Sequence, residues 1–124
     1  MAEGAPPTIR ITSRAHFSAA HRLNNDARDA EWNRVIFDKC NNAHGHGHTY
    51  TLEVTVEGPI DAEKGWIMDF KDLKRIVNDR IVQPCDCKNL NTDVSFLQGL
   101  NPTAEILAVK FWDELSPQVA PARL

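Results

Sequence analysis

Residues 44–56 read HGHGHTYTLEVTV, and this stretch decides the fold. From position 46 onward the even residues are histidine or apolar, whereas the odd residues are glycine, threonine or glutamate. Alternate residues of a β-strand face the same side. The pattern therefore predicts a strand over 46–57 with one apolar and one polar face, ended by the turn signal Gly58-Pro59.

The histidines of this stretch form a candidate metal site. His46 and His48 continue the apolar face of the strand, so they should point into a protected cavity. A preceding strand, predicted over 8–20, closes with His21, and adjacent antiparallel strands would bring it beside them. Catalytic zinc commonly has three protein ligands, and His21, His46 and His48 can supply them. The alternative is a set of ordinary histidines that bind no metal. His44 is a fourth candidate ligand, but it precedes the strand pattern, so we favour it as a loop residue or a neighbour of the ligands.

The remaining elements predict an α+β fold. A polar loop over 22–39 contains a short helical turn around 27–32, and an amphipathic helix covers 70–82, with Asp69 as its N-cap and Pro84 after its end. A loop over 85–91 leads to a second helix, which starts at Asn101-Pro102 and ends at Ser116-Pro117. The tail over 118–124 shows little pattern. Two strands leave open sheet edges, so either other subunits finish the sheet or the chain lacks a last segment.

Composition narrows the class of protein. The 124 residues fit one domain, and 42% hydrophobic residues are typical of a globular protein. A net charge of −3 argues against nucleic-acid binding, and the longest apolar runs are too short to span a membrane. Three cysteines without disulfide-scaffold spacing, and no signal peptide, predict a cytoplasmic protein.

Three other residues are candidates for chemistry. Cys40 precedes the histidines, and a thiol beside a metal suits a base or nucleophile, although a small buried hydrophobe is the ordinary alternative. Asp86 could orient a base, or Cys85 and Cys87 beside it could form a redox or metal-binding Cys-x-Cys pair. We favour the simpler alternative, in which Asp86 caps its loop. Glu105 lies in the first turn of the second helix, where the helix dipole favours a carboxylate. It could also accept two N–H bonds from the edge of a guanine or pterin ring.

Together these motifs resemble the 6-pyruvoyltetrahydropterin synthase and 6-carboxytetrahydropterin synthase family. The resemblance covers about residues 9–115. It is carried by four stretches: Phe17-Ser-Ala-Ala-His21-Arg-Leu23, Cys40-Asn-Asn-Ala-His-Gly-His46-Gly-His48-Thr-Tyr50, Gly65-Trp-Ile-Met-Asp69-Phe-Lys-Asp-Leu73 and Pro102-Thr-Ala-Glu105. The stretch Asp86-Cys-Lys-Asn-Leu-Asn91 resembles a further loop of the family, with one change.

The resemblance implies a fold and an activity. The fold would be the tunnelling fold, an antiparallel sheet with two helices on one face, whose sheets join between subunits into a barrel, commonly a hexamer of two trimers. The activity would be zinc-dependent removal of triphosphate from 7,8-dihydroneopterin triphosphate. It gives 6-pyruvoyltetrahydropterin or, in the branch that leads to queuosine-type deazapurines, 6-carboxytetrahydropterin. Zinc would lie on His21, His46 and His48, Cys40 would transfer protons, and Thr103 and Glu105 would contact the substrate.

Two departures from the family pattern keep other functions open. The family loop usually reads Asp-His and supplies a second acid/base pair, whereas here Asp86 is followed by Cys87. The sequence also stops at Leu124, where family members continue with a strand pair that carries the pterin-anchoring glutamate. The alternatives are a catalytically impaired, metal-containing paralogue that binds a pterin or purine, and a zinc-stabilised assembly protein.

Overall fold

Two long antiparallel strands are the frame of the computed structural model, which describes residues 4–124. Strand β1 (Thr8–His21) and strand β2 (His46–Pro59) have 14 residues each and pair from Thr8↔Pro59 to His21↔His46. The two strands predicted from alternation are confirmed, and β2 continues through the expected turn signal. The register places His21 directly opposite His46, at one end of the sheet.

The two faces of this strand pair differ as the alternation predicts. Phe17, Val54 and Val56 are buried on the inner face, where they join the hydrophobic core. The outer face carries exposed cross-strand pairs, such as Arg14 with Glu53 at 2.7 Å and Thr12 with Thr55 at 2.8 Å. Because only one face is apolar, a slip of one residue would expose the core side chains, and the register is strongly specified.

A helix in the first loop is longer than predicted. Helix α1 (Ala30–Phe37) begins after the N-cap Asp29, whose carboxylate accepts a bond from the Trp32 N–H at 2.8 Å. The prediction of a short turn over 27–32 was wrong because the only buried residue of α1 is the polar Asn33, so no apolar stripe marks the helix. A 3₁₀ turn (Asp38–Asn41) follows directly and carries Cys40.

The second helical segment continues past its predicted end. Helix α2 (Phe70–Val77) has the expected N-cap, Asp69, and passes through a π-helical turn (Asn78–Val82) into a single turn, α3 (Gln83–Cys85). Pro84 therefore lies inside the helical path, not beyond it. The N–H of Gln83 bonds five residues back to the Asn78 carbonyl, and Pro84 has no N–H that would need an acceptor. The wider π turn therefore accommodates the proline.

The sheet is mixed, because a third strand lies on the other side of β1. Strand β3 (Lys88–Asn89) pairs in parallel with Ala19 and Ala20, which gives the order β2-β1-β3. The expectation of a purely antiparallel sheet, with a loop over 85–91, was wrong in this detail. Two residues are too few to show a period of two, so only the tertiary structure reveals this strand.

The last helix and the tail complete the core. Helix α4 (Ala104–Leu115) begins after Thr103, so Pro102 precedes the N-cap and is not the first helical residue as predicted. The Phe111 ring packs edge-on against Phe17 at 6.0 Å between centroids. The tail is also more ordered than its pattern indicated, since Arg123 and Glu57 exchange two main-chain hydrogen bonds.

The described chain is thus an α+β fold, as the sequence predicts, with three helices of eight or more residues. None of the helices within residues 4–124 has the length and apolar character needed to cross a membrane.

Candidate metal centre

Four donor atoms converge at the end of the β1–β2 pair. The Nε2 atom of His48 lies 3.2 Å from Nε2 of His21 and 3.1 Å from Nε2 of His46. Nε2 of His46 is also 3.1 Å from the Sγ atom of Cys40. All four donor atoms lie within 4.8 Å of one another. The structure therefore brings together the three histidines predicted as ligands and adds Cys40 to them.

The ring of His21 is held in one orientation by the start of α4. Its Nδ1 donates to the carbonyl oxygen of Pro102 at 3.0 Å, and a carbonyl can only accept, so Nδ1 carries the proton. The lone pair of His21 therefore lies on Nε2, the atom that faces the cluster. The pKa of His21 is lowered, chiefly by burial. The neighbouring His48 and His46 lower it further, whereas the hydrogen bond to the Pro102 carbonyl acts in the opposite direction. The neutral imidazole, which is the form that binds metals, is thus favoured.

Cys40 is held at the cluster by main-chain contacts. The N–H of Leu23 donates to the Cys40 carbonyl at 2.7 Å, and the side-chain amide of Asn41 donates to the Leu23 carbonyl at 2.7 Å. Leu23 lies two residues after His21, so one backbone segment positions both the ring and the thiol.

Gly45 makes the approach of β2 to His21 possible. Its φ is +75°, and a Cβ atom built on it would lie 2.5 Å from the carbonyl oxygen of His21. A side chain at this position would meet backbone that cannot move without shifting a ligand. Glycine is therefore required here on both conformational and steric grounds.

The donor set fits a tetrahedral zinc ion. Zn–N distances of about 2.0–2.1 Å and a Zn–S distance of about 2.3 Å give ligand-to-ligand edges of about 3.3 Å and 3.6 Å. Three of the six separations are 3.1–3.2 Å, about 0.1–0.5 Å shorter than these edges, and the other three are no longer than 4.8 Å. Lone pairs this close repel one another unless a cation or a proton lies between them.

The site opens toward solvent on one side. His21 is buried and His46 is half-buried, whereas His48 is exposed. The predicted fully protected cavity is therefore wrong for His48 within this chain, because its ring lies at the rim of the cluster. The Tyr50 ring packs against the His48 ring at 5.8 Å between centroids and supports it from the core side.

Asp86 and Cys87 lie outside the group of converging donors found among residues 4–124. The Asp86 carboxylate accepts a bond from the N–H of Ser18 at 2.9 Å, and the Cys87 N–H donates to the Ser18 carbonyl at 2.6 Å. Ser18 is three residues before His21, roughly 10 Å along an extended strand. Cys87 is exposed and has a φ of 59°, a conformation in which histidine is more common than most residues.

The two predicted substrate-binding residues lie where α4 begins. Thr103 is its N-cap, and its hydroxyl accepts a bond from the N–H of Ile106 at 3.2 Å. Glu105 is exposed in the first turn. Because the Pro102 carbonyl accepts a hydrogen bond from His21 Nδ1, this end of α4 is tied to the candidate metal site. His44 is exposed in the loop before β2, as expected, and lines a separate open cavity of about 820 Å³ with Arg22 and Asn91.

Sequence reasoning missed two contributors to the site. One is the Pro102 carbonyl, which no side-chain pattern could reveal. The other is Tyr50, whose ring packs against His48 and whose hydroxyl is buried without a hydrogen-bond partner among residues 4–124. Burial raises the pKa of Tyr50, and Cys40 and Cys85 raise it further. Alternation along β2 predicted the direction of this side chain but not its unpaired hydroxyl.

The fold and this cluster define an α+β protein with a histidine-rich candidate metal site at the end of a strand pair. A sequence model of the family described as 6-pyruvoyl tetrahydropterin synthase matches residues 10–124. The chain is 43% identical over 124 positions to 6-pyruvoyl tetrahydrobiopterin synthase from Poecilia reticulata, which covers 98% of this chain and 84% of that protein. It is also 43% identical over 106 positions to the Homo sapiens enzyme of that name, with 86% and 73% covered.

A solved structure agrees with these relatives. The 6-pyruvoyl tetrahydropterin synthase of Caenorhabditis elegans superposes with a TM-score of 0.87 at 30% identity, covering 95% of this chain and 84% of that one. The chain therefore belongs to the 6-pyruvoyl tetrahydropterin synthase family. The family, the α+β fold of the single chain and the pterin lyase class expected from the sequence are confirmed.

Proposed function

We propose that this protein is a zinc-dependent lyase that removes triphosphate from 7,8-dihydroneopterin triphosphate and yields 6-pyruvoyltetrahydropterin. The observation that carries the proposal is the convergence of His21, His46 and His48, with the Cys40 sulfur 3.1 Å from His46. The names of the relatives from Poecilia reticulata and Homo sapiens point to the same product class.

Each residue of the cluster has a distinct task in this reaction. The three imidazoles would hold the zinc, which when bound acts as a Lewis acid toward the side-chain hydroxyls of the substrate. Cys40 is the base that takes and returns protons on the substrate side chain. Triphosphate leaves as an anion. Oxidation of the side-chain carbons is balanced by reduction of the dihydropterin ring, so no external oxidant is needed.

Residues outside the cluster are assigned to substrate binding and to the second proton transfer. Thr103 and Glu105 lie at the start of α4, which also orients His21 through Pro102, and we assign them to substrate binding. Asp86 and Cys87 are the candidates for the second acid/base pair. Neither belongs to the group of converging donors, but Cys87 lines an open cavity of about 560 Å³ together with His48.

The test is an assay of triphosphate release from 7,8-dihydroneopterin triphosphate with the zinc-loaded chain. Cys40→Ala and removal of zinc by a chelator should each abolish release, and His48→Ala should lose both zinc and activity. His16→Ala is the matched control, since His16 is exposed on the outer face of β1 and bonds Thr51. A zinc-loaded protein that shows no turnover would contradict the proposal.

Product analysis by mass spectrometry separates the two branches of the reaction. We favour 6-pyruvoyltetrahydropterin because Asn41-Asn42 precedes the histidines, as in the pyruvoyl branch that the sequence resembles. Release of acetaldehyde together with 6-carboxytetrahydropterin would instead place the enzyme in the branch leading to queuosine-type deazapurines.

A second candidate function is a catalytically impaired paralogue that keeps the metal and binds a pterin or purine. The observation in its favour is Cys87 at the position where the family usually has histidine, together with the bond of Asp86 to the Ser18 N–H. Cys87→His is the discriminating variant. If this variant releases triphosphate manyfold faster than the native chain, the native chain is impaired. If the native chain is active and the variant has the same rate, the paralogue hypothesis fails.

We further propose that the protein assembles as a hexamer of two trimers in the cytoplasm. Large apolar side chains on two helices are exposed in the single chain, among them Val35 at 68%, Val109 at 58% and Trp112 at 54%. Burial of such side chains between subunits would remove this surface from water. Light scattering before and after zinc removal measures the assembly. Dissociation without any change in pterin binding would favour the zinc-stabilised assembly protein.

A further inference from the structure

We propose that the open cavity beside His44 binds an oligophosphate, an anion of two or more linked phosphate groups. The cavity has a volume of about 820 Å³, which is in the range of small-molecule sites. It is lined by residues from the end of β1, the loop before α1, the loop that enters β2 and the segment from β3 to α4. None of the four converging donors of the candidate metal site lines it.

Five asparagines line this cavity, and their side-chain oxygens are already occupied. Main-chain N–H groups donate, at 2.7–3.0 Å, to the Oδ1 atoms of Asn25, Asn89, Asn91 and Asn101. The Oδ1 atom of Asn24 accepts a bond from another side-chain amide at 2.8 Å. Since a main-chain N–H can only donate, the first four bonds identify the oxygen of each amide and fix its orientation.

Three of these amides keep their donors free. The NH₂ groups of Asn25, Asn89 and Asn101 have no acceptor within the described part of the chain, whereas that of Asn91 donates to the Arg22 carbonyl at 2.8 Å. These three side chains therefore offer the cavity hydrogen-bond donors and no free acceptor. A ligand that matches them carries several acceptor oxygens.

Arg22 adds a positive charge to the same wall. Its Nε donates to the Asn42 carbonyl at 3.2 Å, and Arg22 takes part in none of the ion pairs found among residues 4–124. A guanidinium binds phosphate through parallel N–H bonds. The exposed His44 contributes a ring N–H in either tautomer. The cavity holds far more than one phosphate group, and an oligophosphate has oxygens for both the guanidinium and the amides.

One acid of the wall opposes the binding of an anion. The Asp26 carboxylate is exposed and accepts a bond from the Asn24 amide at 2.6 Å. Solvent and salt screen the charge of an exposed carboxylate, so its repulsion is small. Removal of this charge should nevertheless tighten the binding of an anion, which gives the test a variant of opposite sign.

Two sources supply such an anion. One is a free oligophosphate, and the other is the triphosphate chain of the substrate proposed above. Only the second source rests on the proposed function. It is compatible with the sequence positions, because Arg22 directly follows His21 and His44 precedes His46 by two residues.

The experiment measures the binding of inorganic triphosphate by calorimetry, with the zinc-loaded chain and again with the metal-free chain. Arg22→Gln should bind at least about tenfold more weakly than the wild type, because charge-assisted hydrogen bonds are lost. Asn101→Asp should weaken binding at least as much, since it keeps the oxygen that accepts the Asn24 N–H but replaces the free donor with a negative oxygen. Asp26→Asn should bind about two- to fivefold more tightly, as expected for one exposed charge interaction.

Two variants outside the cavity make the same changes of charge. Arg75→Gln changes an exposed residue of α2, and Asn78→Asp changes an exposed residue of the π turn that follows. Both should bind triphosphate within about twofold of the wild type, because distant surface charges are screened. Circular dichroism and thermal unfolding control for misfolding of all five variants.

The outcomes are decisive for the cavity. No binding of inorganic triphosphate by the wild type, or equal weakening in the cavity variants and the two controls, would overturn the proposal. A chain that binds triphosphate as expected but never releases it from 7,8-dihydroneopterin triphosphate would contradict the proposed function and support the cavity.

Competition identifies the source of the anion. The zinc-loaded Cys40→Ala variant is used, so that the substrate is not consumed. If 7,8-dihydroneopterin triphosphate displaces inorganic triphosphate and neopterin, which has no phosphate, does not, the cavity takes the chain of the substrate. If the substrate and inorganic triphosphate bind together, the cavity takes a free oligophosphate.

Discussion

Replacement of Gly45 by alanine should damage both the stability and the metal site of this protein. A Cβ atom at this position would lie 2.5 Å from the His21 carbonyl oxygen and 3.0 Å from the His21 carbonyl carbon. Real Cβ atoms essentially never lie closer than 3.0 Å to such an atom, so the 2.5 Å separation from the oxygen must grow by at least 0.5 Å. The atoms that must move are backbone atoms of His21, one candidate ligand, and of the loop that leads into His46, the next one.

Comparison with Gly65 divides the loss of stability in Gly45→Ala into a conformational and a steric part. Gly65 also has a positive φ, +81°, but nothing lies within 4 Å of a Cβ built there. Gly65→Ala should thus cost only the left-handed conformation, about 1–2 kcal/mol, less about 0.4–1 kcal/mol from the stiffer unfolded chain. Gly45→Ala adds the steric clash, about 1–3 kcal/mol, for a total of about 1–5 kcal/mol.

Gly47→Ala is the control for substitution beside the ligands themselves. Gly47 lies between His46 and His48, its φ is not positive, and the nearest atom to a built Cβ is 3.9 Å away. This variant should be neutral or slightly more stable, because glycine weakens a strand by about 0.5–1 kcal/mol relative to alanine.

Urea unfolding of the metal-free variants measures stability, and chelator competition measures zinc binding. We expect zinc to bind Gly45→Ala at least about tenfold more weakly than Gly47→Ala, because the loss of contacts that support a metal ligand typically weakens metal binding by that much. If Gly45→Ala is no less stable than Gly65→Ala and binds zinc as the wild type does, the proposed close approach at His21 is wrong.

Three further perturbations test other contacts. Thr103→Ala should lower the free energy of unfolding by about 1 kcal/mol because the N-cap of α4 is lost, whereas Thr103→Ser should retain it; an equal loss in both variants in urea unfolding would contradict the cap. Tyr50→Phe should be neutral or more stable by up to about 1 kcal/mol, since the deleted hydroxyl is unpaired among residues 4–124, and a clear loss in thermal unfolding would reveal a partner. The pKa of Glu57 is lowered from 4.5, first by its hydrogen bond with Arg10 and then by Arg123. Its contribution to stability is therefore complete above pH 4.5 and is lost as the pH falls through the lowered pKa. Glu57→Gln should accordingly flatten the acid limb of the unfolding profile, and an unchanged limb would exclude this contribution.

Much of the fold was predictable because its signals are local. The alternation along 46–57 follows from the geometry of an extended chain with one buried face, and it predicted the direction of His46, His48 and Tyr50. Asp69 predicted the start of α2 because a carboxylate there bonds a free N–H, here that of Lys71 at 2.9 Å. Such features depend on neighbours within a few residues.

Other elements could not be predicted because their sequences carry no distinct signal of the structure that they adopt. Strand β3 exists because two residues meet the edge of β1, about 70 residues earlier in the sequence. Helix α1 is fixed through Asn33, whose side chain bonds the loop carbonyls of Asn25 and Asp29 at 2.9 Å each, so no apolar period marks it. Pro84 remains inside a helical path only because a π turn precedes it.

The sequence alone determined the α+β class, the two long strands and the shared face of His46 and His48, because spacing on a strand sets which side chains share a face. The tertiary structure decided how these parts work together. Only the register of β1 and β2 placed His21 opposite His46, and only the packing of α4 brought the Pro102 carbonyl to Nδ1 of His21. The turn after α1 placed the Cys40 sulfur 3.1 Å from His46, a distance that depends on contacts between segments remote in sequence.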